Sequence, residues 1–151
     1  MSLHIVLDSS PLGVMTNPSG SAEVIAINQW ARSCLAAGHN LYIPEVIDYE
    51  LRHELLRTGK VQGLALLDGF KSFCDYLPIT TPAMLRAAEL WAEARNRGLS
   101  TGDPKKLDVD VILAARAHTL AVPPADLLVA TSNVAHLSHF VTAELWTNIT
   151  P

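Results

Sequence analysis

The chain has 151 residues, 49% of them hydrophobic, and a formal net charge of −4. That length suits one domain able to bury roughly two-thirds of its unfolded surface, and the acidic balance excludes the broad positive field of an indiscriminate nucleic-acid binder. Apolar runs stay well short of the ~20 residues of a membrane span, and the opening MSLHIVL meets Asp8 without a basic lead, so a soluble, cytoplasmic protein without signal peptide or membrane contact is expected.

In chain order, LHIVL (3–7) reads as a strand buried in a sheet, ended by turn residues from Asp8 to Gly13. A helix over 21–38 opens on Ser21 and stops at Gly38. LYI (41–43) is a second strand, and Pro44 suits the first turn of a helix running to about Arg57, with Gly59 beyond. The spacing predicts a helix over 60–76, weakened by Gly63 and Gly69, then a strand at 77–80 and a strong helix over 82–98 closed by Gly98. LSTGDPKK (99–106) has turn chemistry and leads into a helix over 108–120; LLVAT (127–131) is a fourth strand, and a last one is expected near 144–149. Short strands alternating with helices imply parallel βαβ units, hence an α/β fold: a three-layer α/β/α sandwich around a central, mostly parallel sheet. Cys34 and Cys74 fall in helical segments and read as buried free thiols. The stripe of Leu90 and Ala94 reads as core.

Several carboxylates interrupt this apolar pattern. Asp8 stands beyond the first strand, where open parallel sheets bind ligands, although an Asx-turn with Ser9 and Ser10 explains it equally well. On the helix after Pro44, Ile47, Leu51 and Leu55 form one stripe; Glu50 falls beside it, and Glu54 is expected to pair with Arg57 three residues on. In LDVDVILAARA (107–117), Asp108 is the expected helix cap, with a supporting place near the site, while Asp110 shares its face with Ala114 and Ala117, small residues that let the helix approach the sheet. Asp8, Glu50 and Asp110 could thus converge. Clustered carboxylates repel one another unless a cation neutralises them, and an oxygen-only set favours Mg²⁺ or Mn²⁺ over Zn²⁺. His4, His39, His53, His118, His136 and His139 show no zinc-site spacing and are expected as surface or satisfied core residues.

Four pieces in order resemble a PIN domain of the kind found in VapC-type toxin ribonucleases: IVLD followed by SSPL (5–12), IPEVIDYELRHELLR, LDVDVILAARA and LLVATSNVAHL. The likeness runs from near the first residue to about residue 140, and the whole of 1–151 reads as a single PIN-like domain. It implies that Asp8, Glu50 and Asp110 carry catalysis by holding Mg²⁺ or Mn²⁺, with Asp108 or Asn133 completing the site, and that Ser9, Thr131, Lys105 and Lys106 support it or contact substrate. It also implies an RNA substrate, a homodimer and a small antitoxin protein that blocks the site. Many members carry an acid in the fourth region where this chain has Asn133, which lowers the site's charge and leaves a second metal position open. Arg52, Arg57, Lys60, Lys105 and Lys106 are candidate phosphate contacts or simply solvated, and STGDPKK is the preferred substrate-contacting loop.

Two other readings compete. A haloacid-dehalogenase-like phosphatase also starts with a strand and an Asp but wants a second Asp where Ser10 sits. A PIN fold with weakened catalysis would serve as a binding scaffold; Asn133 favours it, and three inward carboxylates, costly to keep without a cation, count against it.

Overall fold

Ile5, Val6 and Leu7 are fully buried, as expected for a strand covered on both faces of a parallel sheet. In the computed structural model, which describes residues 2–99 and 104–151, this run is β1 (His4–Leu7). It pairs with β2 (Asn40–Pro44) on one side and β4 (Leu127–Ala130) on the other, Ile5 standing opposite Leu41 and Leu128. With β3 (Asp75–Leu77) and β5 (Ala143–Glu144) the sheet has the order β3-β2-β1-β4-β5, all pairings parallel. The chain steps from β1 to β2 to β3 in one direction and then returns to β4 on the far side of β1. Right-handed crossovers that reverse direction in this way place helices on both faces, which is the three-layer arrangement expected.

The helices follow their local signals. α2 (Ala22–Ala36) begins where Ser21 Oγ accepts from Val24 N at 3.3 Å. Gly38 then turns the chain at φ 87°, a conformation side chains resist. α3 (Glu45–Arg57) follows Pro44 directly, and α4 (Val61–Phe70), α5 (Thr81–Asn96) and α6 (Pro104–His118) complete the main set. Leu90 and Ala94 of α5 are buried, as are Cys34 and Cys74. Burial pushes those thiols up to about 11 and about 12, which disfavours the nucleophilic thiolate at neutral pH. Among the described residues, no helix is long and apolar enough to cross a membrane.

Four boundaries differ from expectation. The segment after β1 is no mere turn: Asp8 caps a short helix, α1 (Ser9–Met15), whose first turn absorbs Pro11 without losing a helical hydrogen bond. The helix expected to reach 76 ends at Phe70, where Lys71, Ser72 and Phe73 donate to carbonyls three residues back, so β3 forms two residues early. α6 starts at Pro104, which leaves Asp108 inside the helix and not at its cap. β5 is only Ala143–Glu144; the remainder of the expected last strand is a 3₁₀ turn, Trp146–Asn148, that packs Trp146 at a tilt against Trp30. A short helix that the sequence pattern did not reveal, α7 (Val134–Leu137), follows β4.

Candidate active site

The crevice between β1 and β4 lies where the strand order reverses, the place at which open α/β sheets hold ligands. Asp8 stands at the end of β1, 3% exposed, with its N–H donating to Ala130 O at 3.0 Å. Its Oδ1 accepts from Ser9 N and its Oδ2 from Thr131 Oγ1, both at 2.7 Å. One end of the crevice is therefore a carboxylate held at both oxygens.

Asp110 enters from α6, which the fully buried Ala114 and Ala117 let lie close to its neighbours. It is 1% exposed, and neither oxygen has a hydrogen-bond partner. Burial pushes its carboxyl from the ordinary 3.8 up to about 7; the Lys106 charge opposes that rise, while Asp8 and Glu50 add to it. All three expected carboxylates thus share one electrostatic neighbourhood. Lys106 Nζ lies 3.9 Å from Glu50 Oε1 and 3.9 Å from Asp110 Oδ1, an ammonium set between α3 and α6. Among the described residues, no three His, Cys, Asp or Glu side chains are close enough to hold a metal ion as they stand.

The fourth region differs from expectation. Asn133 is exposed and contributes its backbone, donating N–H to Thr131 Oγ1 at 2.9 Å. The residue that reaches Asp110 is His136, one turn further on, with Nε2 3.1 Å from Oδ2. Burial, then the nearby His139 and Lys106, hold its pKa below the ordinary value, so the ring is mainly neutral at pH 7. The only sequence signal was its position, three residues after Asn133 on a helix too short to show periodicity.

Other expected participants sit elsewhere. Asp108 is exposed and lines a crevice with Met84, Ala87, Trp91 and Val111, because two residues along a helix is about 200° around it from Asp110. Arg52 is committed to Asp48 at 2.9 Å and Asp68 at 2.6 Å, and Arg57 pairs with Glu54 at 2.7 Å. Asp48, which the helical wheel passed over, is 4% exposed and also meets Lys71 Nζ at 3.0 Å. Lys60 is exposed before α4, and Lys105 is exposed on α6. Residues 100–103 of the expected substrate loop lie outside the described residues. Ser10, where a phosphatase would carry its second Asp, accepts from Ser132 N at 2.9 Å.

By their chemistry the donors suit a cation, although no three of them stand close enough to hold one as placed. Asp110 presents two buried, unpartnered oxygens, Asp8 is oriented beside it, and Glu50 faces the same ammonium. No protein-family model matches the sequence, and no curated protein matches it. Solved structures do match its fold. A chain of VapBC2 from Rickettsia felis, bound to a DNA fragment from the promoter, superposes with a TM-score of 0.68 at 16% identity, covering 95% of this chain and 99% of that one. VapBC-1 from nontypeable Haemophilus influenzae gives 0.62 at 13% identity, with 97% and 100% covered. DNA-bound VapBC from Salmonella typhimurium gives 0.61 at 18% identity, with 95% and 98% covered. The fold is thus the PIN-like one.

Proposed function

We propose that this chain is a metal-dependent endoribonuclease of the PIN type and acts as the toxin of a toxin–antitoxin pair. Asp110 carries the reading: a carboxylate 1% exposed, without a hydrogen-bond partner, beside two further acids at the switch point of a parallel sheet. A buried charge so placed is costly unless a cation neutralises it. Asp8, Glu50 and Asp110 would hold Mg²⁺ or Mn²⁺, which when bound supplies counter-charge for a phosphodiester and lowers the pKa of an attacking water.

The chain's own residues prepare that site. Thr131 and the Ser9 amide fix the Asp8 carboxylate from both sides, so it needs little reorientation. Lys106, 35% exposed between Glu50 and Asp110, can turn its ammonium to a phosphate oxygen at the mouth of the crevice. The likeness to chains of VapBC complexes supports a small protein partner, and a homodimer and a cytoplasmic setting belong to the same proposal.

Lys106 also favours a second reading. An ammonium 3.9 Å from two of the acids offsets part of their charge without metal, as a catalytically silent scaffold would require. Incubating a mixed RNA pool with the protein and Mn²⁺, beside an Asp110→Asn variant and a chelator control, separates the two. Cleavage lost in both controls supports the nuclease; RNA left intact by folded wild-type protein favours the scaffold.

A further inference from the structure

Among the described residues, the buried side-chain atoms without a hydrogen-bond partner all meet at one place: Oδ1 and Oδ2 of Asp110 and Nε2 of His136. Nε2 and Oδ2 are 3.1 Å apart. The distance lies within hydrogen-bond range, yet neither atom is paired in a hydrogen bond. Buried polar atoms left unsatisfied in this way are costly to the fold. A shared cation accounts for the arrangement. Two donors each about 2.1 Å from one octahedrally coordinated metal ion, at right angles to each other, stand about 3.0 Å apart.

The imidazole is held in place by its surroundings. The Phe140 ring meets it edge to face at 5.5 Å, Leu137 beside it is fully buried, and its side chain is 15% exposed. Such anchoring pre-positions a ligand.

We propose that His136 Nε2 is a direct ligand, together with Asp110 Oδ2, of the cation held at this site, and that the site therefore selects Mn²⁺ over Mg²⁺. The inference rests on the metal site proposed above and adds a nitrogen donor to it. Imidazole suits transition-metal ions, whereas Mg²⁺ takes oxygen ligands and parts reluctantly with its waters. Asp8 and Glu50 complete the shell as Lys106, which faces both Glu50 and Asp110, swings toward solvent.

The test uses the full chain in Mn²⁺, with pulsed electron paramagnetic resonance reading nitrogen hyperfine coupling and calorimetry reading Mn²⁺ and Mg²⁺ affinity. Wild type and His139→Gln should show a directly bound nitrogen. His136→Gln should lose that coupling and bind Mn²⁺ at least about tenfold more weakly, with Mg²⁺ affinity changed by less than about threefold. Thermal unfolding checks the variants' folding, and the wild-type spectrum decides independently of them. Mn²⁺ bound without nitrogen coupling overturns the histidine ligand while leaving an all-oxygen site standing. Wild-type protein that binds no Mn²⁺ overturns both.

Discussion

Thr131 Oγ1 donates a 2.7 Å hydrogen bond to Asp8 Oδ2, joining the ends of β4 and β1 across the crevice. The same hydroxyl accepts from Asn133 N at 2.9 Å and so also positions the start of α7. One side chain therefore ties the acid at the end of the first strand to the helix that carries His136.

Thr131→Val keeps the volume and removes both bonds. Asp8 Oδ2 is then buried without its donor, and the expected loss is about 1–3 kcal/mol of stability. Thr131→Ser should retain most of it. Urea unfolding of both variants checks this, and an unchanged midpoint for Thr131→Val would show that the bond contributes nothing.

Asp110 predicts a pH dependence of unusual sign. Its folded-state carboxyl is raised from 3.8 to about 7, so the native protein holds a proton that the unfolded chain has released. Stability of the metal-free protein therefore falls as pH rises through that window, by at most about 4 kcal/mol. Asp110→Asn should be more stable than wild type at about pH 8 in chelator and lose that advantage near about pH 4. Urea midpoints at the two pH values measure it; an advantage that does not change with pH would contradict the assigned cause.

The Asp48 cluster should behave oppositely. Burial is the largest single influence on Asp48, but hydrogen bonds and charge from Arg52 and Lys71 together outweigh it and hold the carboxyl below its ordinary value. A depressed carboxylate stabilises the fold above its unfolded pKa, and that contribution is lost as pH falls through the folded one. Asp48→Asn should cost about 2 kcal/mol at neutral pH, discounted because Arg52 and Lys71 keep water contact. The cost should shrink in acid, which denaturation along a pH series would reveal.

Trp30 ties the chain's last turn to the core: Nε1 donates to Ile149 O at 2.9 Å and the ring packs at a tilt against Trp146. Trp30→Phe should cost about 1 kcal/mol for the lost bond and speed proteolysis after β5. Cleavage unchanged in rate and position would mean that the 3₁₀ turn holds without it.

Much of the fold was legible from periodicity and caps. β1, β2, β4 and the long helices α2, α3 and α5 were marked by apolar runs, Ser21, Pro44, Gly38 and Gly98, because those signals act over a few residues. α1 and α7 were not legible, since seven or four residues give no periodicity, and α1 hides behind a Pro and two Ser that also make turns.

By itself, then, the sequence determined the α/β class, the parallel sheet and the interruption of apolar segments by Asp8, Glu50 and Asp110. Tertiary structure alone decided which side chains of different elements share a neighbourhood: that Lys106 meets Glu50 as well as Asp110, that Arg52 reaches Asp68 beyond its own helix, and that His136 faces Asp110. The physical reason is that helix periodicity fixes where a residue points on its own element, whereas the distance between atoms on α3, α6 and α7 is set by how those elements pack on the sheet.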